Sequence, residues 1–178
     1  MDNLSDHLEK LRVFLSDDKV SNRDDVDQHP IPDLVKVVLE DLNKNKDVFP
    51  KSKIQEILPL LKSHFEGEDL SLTATLLQLT AEICKSEDTR QLCVDAGLIP
   101  SIMTCMEKQH HAVVLQSFRA IGNIACDNNK AREEILQAEG VEKILKKLKE
   151  LQMETSDGYE TQHHVTACGA VLNLSFDS

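Results

Sequence analysis

The histidines and cysteines of this chain lack the spacing that a metal site requires. Among 178 residues there are seven histidines and five cysteines. Two pairs of histidines, at 110–111 and 163–164, are adjacent in sequence, so their rings would point apart on a helix. No combination of His and Cys has the spacing of a tetrahedral metal site. We therefore expect neither a metal nor another cofactor.

A thiol paired with an imidazole is the hydrolytic chemistry that the sequence leaves open. Cys105 with His110, or Cys168 with His164, could supply a nucleophile and its base. Against this, the cysteines stand among apolar residues in helix-like stretches and form no CxxC pair, which is typical of reduced packing residues. Phosphate-binding glycine loops are also absent from the sequence. We expect a binding protein and not an enzyme, one that meets nucleotide only through a partner.

Composition favours an all-α protein that does not bind nucleic acid. Acidic residues outnumber Lys and Arg by 31 to 20, and the net charge of −11 is opposite to the basic balance that phosphate backbones attract. Aromatic residues make up 3% of the chain, which favours helices packed on helices. No apolar run reaches the roughly 18 to 20 residues that span a bilayer. We expect a cytoplasmic protein without direct membrane insertion, and the leucine spacing of residues 4–13 leaves nuclear shuttling open.

One apolar pattern occurs three times beyond residue 50. The copies begin at residues 54, 99 and 141, and so lie 45 and 42 residues apart. A period in the low forties with helical units points to a stack of repeats, because one such unit cannot bury its apolar face alone. The copies are Ile54, Ile57, Leu58 and Leu61; Ile99, Ile102, Met103 and Met106; and Val141, Ile144, Leu145 and Leu148.

Each repeat is predicted to contain a short first helix, a glycine corner, and then a second and a third helix. Gly97 and Gly140 close the first helices, where a residue without Cβ lets the chain turn sharply. The third helices carry Asn123 and Asn173 at one register, and Glu82 takes that place in the earliest repeat.

These units predict a single domain over residues 1–178. Residues 1–50 would hold atypical helices and an acidic loop at 16–33, where Asp and Pro residues disfavour a helix. The repeats would follow at 51–86 (partial), 87–127 and 128–178, the last with a loop insertion at 151–161. Because no capping helix follows the last apolar face, we expect a chain truncated at its C-terminus, as a fragment or a short isoform.

These features resemble the armadillo repeat, a right-handed superhelical solenoid of three-helix units whose third helices end in Asn-Leu-Ser or a variant. The segments 120–125 and 170–175 carry this likeness. A narrower similarity, in residues 1–6, 93–99 and 119–127, is to the start of the small-GTPase GDP dissociation stimulator family. Members of that family are much longer, so the resemblance is to their N-terminal part.

The resemblance implies an exchange factor and chaperone for Rho- and Ras-type GTPases, including Rap, that carry a polybasic tail and a prenyl group. The net charge of −11 would attract such a tail and speed the encounter. The alternative is a generic armadillo scaffold for peptides, or an inhibitory short isoform without exchange activity.

In an armadillo stack the third helices line a concave groove, and candidate protein-binding residues follow from this in pairs four apart. The pairs are Gln78 with Glu82, Arg119 with Asn123, and Gly169 with Asn173. The asparagine amides could bind the backbone of an extended peptide, or tie neighbouring helices together. Arg119 could pair with Glu82 or with an acidic partner residue. Because the chain has no Trp, recognition of nuclear localisation signals is disfavoured.

Overall fold

A computed structural model describes residues 3–16, 30–44, 50–154 and 159–175. All regular secondary structure within these ranges is α-helical, as the composition predicts. The helices are α1 (Asn3–Leu15), α2 (Pro30–Lys44), α3 (Lys51–Phe65), α4 (Leu70–Ile83), α5 (Glu87–Asp95), α6 (Leu98–Met106), α7 (His111–Ala125), α8 (Asn129–Gln137), α9 (Gly140–Glu154) and α10 (Tyr159–Ser175).

The helices stack as repeats in two main rows. Helices α5–α7 and α8–α10 are successive three-helix repeats, and the pairs α1–α2 and α3–α4 precede them in the chain. The last helices of these units, α2, α4, α7 and α10, pack consecutively on one another, and α1, α3, α6 and α9 pack in a second row. Residues 54, 99 and 141 lie near the starts of α3, α6 and α9, which are equivalent elements. The predicted α solenoid is therefore confirmed.

One hydrophobic core runs through the stack. The leucines at 4, 8, 11 and 15 recur at helical spacing and are at most 5% exposed, because this face of α1 packs against α2 and α3. Two phenylalanines are among the largest fully buried side chains, Phe65 at the end of α3 and Phe118 in the middle of α7. Each unit leaves part of its apolar stripe to be covered by the next, so the repeats stabilise one another.

The prediction of a loop through residue 33 is wrong at its end, because α2 begins at Pro30. A proline in the first turn of a helix costs little, since its missing N–H would have no helical partner there. Ile31 is 1% exposed and extends the buried stripe of Val35 and Val38, which favours an early start. The remainder of the predicted acidic loop, residues 17–29, lies outside the described residues.

The predicted insertion at 151–161 is helical at both of its ends. Helix α9 continues to Glu154, and α10 begins at Tyr159. Leu151 is 4% exposed and continues the buried stripe of Ile144 and Leu148, which explains the longer helix. Residues 155–158, which separate the two helices, lie outside the described residues.

The two predicted glycine corners differ in their physical cause. Gly97 has a φ of 67°, in the left-handed region that favours glycine, and α6 follows directly. At the second corner the left-handed residue is Glu139, with a φ of 58°, and not Gly140. A Cβ on Gly140 would lie 2.4 Å from Cγ2 and 2.8 Å from the carbonyl oxygen of Ile135. Glycine is needed there for close packing.

The substitution Gly140→Ala should lower the free energy of unfolding by about 2 kcal/mol, because Ile135 and its backbone must move to admit the methyl group. Urea denaturation followed by circular dichroism measures the change. Gly169→Ala is the control, since a Cβ at Gly169 would meet no atom within 4 Å. That variant should gain up to about 1 kcal/mol from the better helix former. A Gly140→Ala variant as stable as the wild type would contradict the close approach.

Glu9 joins α1 to α3 through a surface cluster of charges. Its Oε1 accepts a hydrogen bond from Nη2 of Arg12 at 2.5 Å, and its Oε2 accepts one from Nζ of Lys53 at 2.7 Å. The hydrogen bonds from Arg12 and then Lys53 lower the pKa of Glu9 from 4.5 to about 2. The folded state therefore favours the ionised carboxylate.

The stabilisation that Glu9 provides should depend on pH. Because its pKa is lowered by folding, the contribution is present above pH 4.5 and is lost as the pH falls towards about 2. We expect the difference in Tm between the wild type and Glu9→Gln to be largest at neutral pH, and to vanish near the acid end of this window. Glu66→Gln is the control, because the exposed Glu66 has no ion pair in the described ranges. A Tm difference for Glu9→Gln that persists in acid would contradict this interpretation.

Candidate functional site

The six predicted site residues lie on α4, α7 and α10, the last helices of three consecutive units, which we call the third helices although the unit of α4 has only two. Gln78 and Glu82 are on α4, Arg119 and Asn123 on α7, and Gly169 and Asn173 on α10. None of the six is buried. Because α4, α7 and α10 pack side by side in this order, their equivalent positions share one side of the stack. We call this surface the third-helix face and define it by these six residues.

Each asparagine ties its helix to the preceding third helix. Nδ2 of Asn123 donates a hydrogen bond to the carbonyl oxygen of Ala81 at 2.7 Å, and Nδ2 of Asn173 donates one to the carbonyl oxygen of Gly122 at 2.9 Å. The acceptors precede Glu82 and Asn123 by one residue, so the two bonds are equivalent in the repeat. The asparagines therefore link neighbouring helices, one of the two roles that the sequence left open.

Part of each asparagine amide remains available. An Asn side chain offers two N–H donors and a carbonyl oxygen. Within the described residues, one donor of Asn123 and one of Asn173 are used, and neither Oδ1 atom accepts a hydrogen bond. The remaining donor and acceptor match the C=O and N–H groups of an extended peptide backbone. The bond between helices thus fixes the orientation of each amide.

Arg119 is held by its own chain. Its Nη2 donates to Oε1 of Glu82 at 2.6 Å, and its Nη1 donates to Oε1 of Gln116 at 2.8 Å. Glu82 also pairs with Lys85, with 2.5 Å between the nitrogen and the oxygen. Of the two partners that the sequence allowed for Arg119, the structure shows Glu82 of the preceding unit. The charges in the middle of the third-helix face are therefore paired with one another.

A shallow recess opens between α7 and α10 on this face. Its volume is about 220 Å³. Gly169 is part of the lining, and a Cβ there would have no atom within 4 Å. Val165 and Leu172 of α10 contribute to the lining and are 68% and 56% exposed. The lining residues of α7 are Phe118, Arg119, Gly122 and Asn123, and those of α10 are Val165, Thr166, Gly169, Ala170, Leu172 and Asn173.

Two arginines that sequence reasoning missed hold the ends of the third helices. Arg90 on α5 donates from Nε to the carbonyl oxygen of Cys84 at 3.1 Å, and from Nη1 to that of Cys126 at 2.9 Å. These carbonyls belong to the C-terminal ends of α4 and α7, where helical partners are lacking and partial negative charge accumulates. Arg90 therefore joins two successive third helices.

Arg132 on α8 makes the equivalent connection one repeat later. It is 7% exposed, and its Nε donates to the carbonyl oxygens of Ala125 and Asn173, both at 3.0 Å. These oxygens lie in α7 and α10. Arg90 and Arg132 are separated by 42 residues, the spacing of the apolar pattern, and this recurrence is the signal that could have identified them.

The buried thiols do not have the environment of a catalytic nucleophile. Sγ of Cys105 donates to the carbonyl oxygen of Phe65 at 3.5 Å, and burial raises the pKa of this thiol. Sγ of Cys84 lies 3.2 Å from Sγ of Cys93, and the pKa of Cys84 is raised first by burial and then by Cys93. A reactive thiol needs a lowered pKa. The buried cysteines are packing residues.

Alkylation of the folded chain should separate the cysteines by exposure. Iodoacetamide should modify the exposed Cys168 quickly, and Cys84, Cys93 and Cys105 much more slowly, because the last three are buried and react only after local opening. A time course read by peptide mass spectrometry measures the rates, and the urea-unfolded chain, in which all sites should react alike, is the control. Rapid labelling of Cys105 in the folded chain would restore the thiol hydrolase alternative.

Neither a metal centre nor a membrane span is found in residues 3–16, 30–44, 50–154 and 159–175. The His, Cys, Asp and Glu side chains in these ranges form no group of three that could hold a metal ion. No helix in the same ranges combines the length and the apolar character needed to cross a bilayer.

Two proteins of Xenopus laevis are similar to this chain along its whole length. Over 183 aligned residues the chain is 31% identical to Rap1 GTPase-GDP dissociation stimulator 1-A and 29% identical to Rap1 GTPase-GDP dissociation stimulator 1-B. Each alignment covers 100% of this chain and 28% of the relative, so the chain spans little more than a quarter of the length of these proteins. No protein-family model matches the sequence.

Designed armadillo repeat proteins are among the solved structures with a similar arrangement of helices. The designed armadillo repeat protein YIII(Dq)4CqI superposes with a TM-score of 0.69 at 16% identity, over 93% of this chain and 63% of its own. A second designed armadillo repeat protein, in complex with the peptide (KR)4, gives a TM-score of 0.62 at 17% identity, over 92% of this chain and 64% of its own. At a sequence identity of 16–17%, the structural similarity is evidence for the fold only. The fold is an armadillo-repeat α solenoid.

Proposed function

We propose that this chain, an armadillo-repeat solenoid that resembles the Rap1 GTPase-GDP dissociation stimulators throughout its length, is a protein-binding module of a guanine nucleotide exchange factor and chaperone for small GTPases. The proposed partners are GTPases of Rho and Ras type, including Rap, with a polybasic tail and a prenyl group. Since the chain corresponds to 28% of these relatives, binding is the part of the activity that we assign to it.

The asparagine amides of the third-helix face are the observation that carries the proposal. Asn123 and Asn173 are fixed by equivalent bonds to the preceding helix, and within the described residues each has a donor and an acceptor left for a partner backbone. Preformed polar groups of this kind cost little entropy on binding. Exchange would then follow if the bound GTPase conformation is one that holds its nucleotide weakly, which is an effect of differential affinity.

Long-range charge would assist the encounter with a basic tail. The net charge of −11 belongs to the molecule as a whole and attracts cations from a distance. The charges of Glu82 and Arg119 on the third-helix face, in contrast, are already paired with each other. The attraction would therefore speed association and would weaken as salt screens it. Contacts on the third-helix face would provide the short-range part of the affinity.

Capture of purified Rap1 by the immobilised chain tests the proposal. We expect both prenylated and unprenylated forms to be captured in low salt, with a capture that weakens through a salt series. The double variant Asn123→Ala, Asn173→Ala should bind at least about tenfold more weakly, while Gln137→Ala, an exposed change on α8, should bind like the wild type. Circular dichroism checks that each variant keeps its helices. Absence of salt-sensitive capture would reject the proposal.

A generic peptide scaffold, or an inhibitory short isoform, is the second candidate. It is favoured by the same asparagine amides, which would recognise a backbone whatever its side chains. Release of a fluorescent GDP analogue from Rap1 separates the candidates. Acceleration of release supports an exchange module, whereas binding of peptides without any effect on Rap1 supports the scaffold.

A further inference from the structure

We propose that the cavity between α3 and α6 binds a carboxylate group, which is held by Lys62 and Ser101. This inference goes beyond the proposed function, because α3 and α6 belong to the second row of helices and contribute none of the six residues of the third-helix face. The cavity has a volume of about 460 Å³. It is lined by Lys62, Phe65 and Glu66 at the end of α3, and by Pro100, Ser101 and Thr104 of α6.

Lys62 brings a positive charge to a place that is already partly positive. A Cβ built on Gly97 would lie 3.4 Å from Nζ of Lys62, and Gly97 precedes the N-terminal end of α6. The aligned peptide dipoles favour anions and disfavour cations at that end of a helix. Lys62 forms no ion pair with any carboxylate of the described residues. An anion bound here would therefore be attracted by the ammonium group and by the helix end together.

Ser101 supplies a buried hydroxyl group without a partner. It is 8% exposed, and its hydroxyl makes no hydrogen bond within the part of the chain that the structure describes. Thr104, the other hydroxyl residue of the lining, instead donates to the carbonyl oxygen of Pro100 at 3.1 Å. A buried polar group without a partner costs free energy. A ligand oxygen that accepts a hydrogen bond from Ser101 would remove that cost.

The equivalent cleft one repeat later already contains a carboxylate. By the 45- and 42-residue spacings of the apolar pattern, Glu107 takes the place of Lys62, and Lys143 takes that of Ser101. Oε1 of Glu107 lies 3.7 Å from Nζ of Lys143, and both residues line the cleft between α6 and α9. Lys62 and Ser101 have no such partner among the described residues. A carboxylate of a ligand would supply between α3 and α6 what Glu107 supplies in the next repeat.

The charge of the lining favours a carboxylate over a phosphate group. Glu66, which is exposed, is the one carboxylate among the lining residues, and with Lys62 it makes the lining neutral. A carboxylate ligand adds one negative charge to this site. A phosphate monoester carries about 1.5 to 2 negative charges at pH 7 and would place the excess near Glu66. The net charge of −11 of the whole chain disfavours the more negative ligand as well.

An apolar wall leaves room for a short hydrocarbon chain beside the carboxylate. Phe65 is 1% exposed and forms this wall together with Pro100. Covering apolar carbon is favourable in proportion to the area removed from water. The volume of about 460 Å³ is at the lower end of the range of about 300–1,000 Å³ that is usual for sites of small ligands. A small free acid and an Asp or Glu side chain of a partner protein share this chemistry.

A titration of the isotope-labelled chain, followed through its backbone amides by NMR, tests the inference. Sodium butyrate represents a free acid, and N-acetylglutamic acid N-methylamide represents a side chain of a partner. Both are added at a constant ionic strength of about 0.15 M, because salt screens the attraction. We expect millimolar binding, with shifts centred on residues 62–66 and 97–104, and binding of inorganic phosphate that is at least about threefold weaker. The tighter of the two carboxylates indicates the source of the ligand.

Substitutions at the two proposed contacts distinguish a site from general charge. Lys62→Met and Ser101→Ala should each weaken carboxylate binding at least about threefold, whereas Lys62→Arg keeps the cation and should retain most of it. Lys143→Met removes a cation from the equivalent cleft and should bind like the wild type. Since Lys62 and Ser101 have no polar partner in the described ranges, their variants should keep their helices, which circular dichroism verifies.

Four outcomes would each overturn the inference. These are the absence of shifts at residues 97–104 with both carboxylates, binding of phosphate as tight as that of the carboxylates, unchanged affinity in Lys62→Met or Ser101→Ala, and an equal loss of affinity in Lys143→Met. None of these measurements involves Rap1 or the third-helix face. The carboxylate site and the proposed GTPase partner can therefore fail independently of each other.

Discussion

The variant Phe118→Ala should lose about 3–5 kcal/mol of unfolding free energy, a large part of the stability of a domain of this size. Phe118 is 0% exposed and lies in α7, which packs against α4, α6 and α10. Removing the ring takes away its contacts with the surrounding side chains and leaves a void that rigid helices fill only in part. Urea denaturation monitored by circular dichroism gives the change.

A graded substitution at the same position provides the control. Phe118→Leu keeps most of the apolar volume and should lose no more than about 1.5 kcal/mol. If Phe118→Ala cost as little as Phe118→Leu, the helices around α7 would have to close over the void. The α7–α10 recess, which Phe118 helps to line, would then be collapsible and not preformed.

Arg132→Ala should lower the free energy of unfolding by about 3 kcal/mol, because it removes charge-assisted hydrogen bonds to the carbonyl oxygens of Ala125 and Asn173. Arg132 is 7% exposed, so water cannot readily replace the guanidinium. Amide hydrogen exchange in the native state shows which helices lose stability in this variant. Protection should decrease most in α10 and at the C-terminal end of α7.

Two further variants distinguish the hydrogen bonds of Arg132 from its bulk and its charge. Arg132→Met retains a long apolar stem without donors and should lose most of the same stability. Lys149→Ala removes a cation from an exposed position of α9 and should change the unfolding free energy by no more than about 0.5 kcal/mol. An Arg132→Met variant as stable as the wild type would show that packing of the stem is the main contribution.

The repeat architecture could be predicted from the sequence because burial depends on side-chain type. Ile54, Ile99 and Val141 begin equivalent helices, since their aliphatic stripes must face the same row of neighbours. The ion pair of Arg119 with Glu82 was also one of the two predicted possibilities, because the residue types alone show that these side chains carry opposite charges. In the aliphatic contacts and in the ion pair alike, the residue types of both partners can be read from the sequence.

Contacts to the backbone could not be predicted in the same way. The acceptors of Arg90 and Arg132 are carbonyl oxygens, which every residue possesses, so the residue types of Cys84 or Ala125 give no sign of the bond. The physical role of Gly140 could not be predicted for a related reason. The sequence shows a glycine at the corner, but it does not show that the missing side chain leaves room for Ile135, or that the left-handed angle belongs to Glu139.

The paired links between third helices also determine how the solenoid responds to mechanical force. Asparagine bonds and arginine bridges are among the polar links that connect neighbouring third helices, as Asn173 and Arg132 connect α7 and α10. Apolar contacts tolerate sliding, whereas directional hydrogen bonds resist it. These polar links would therefore carry most of a force applied along the row of third helices. In optical-tweezer extension, repeats should detach one at a time, each with an abrupt rupture instead of a gradual elastic lengthening.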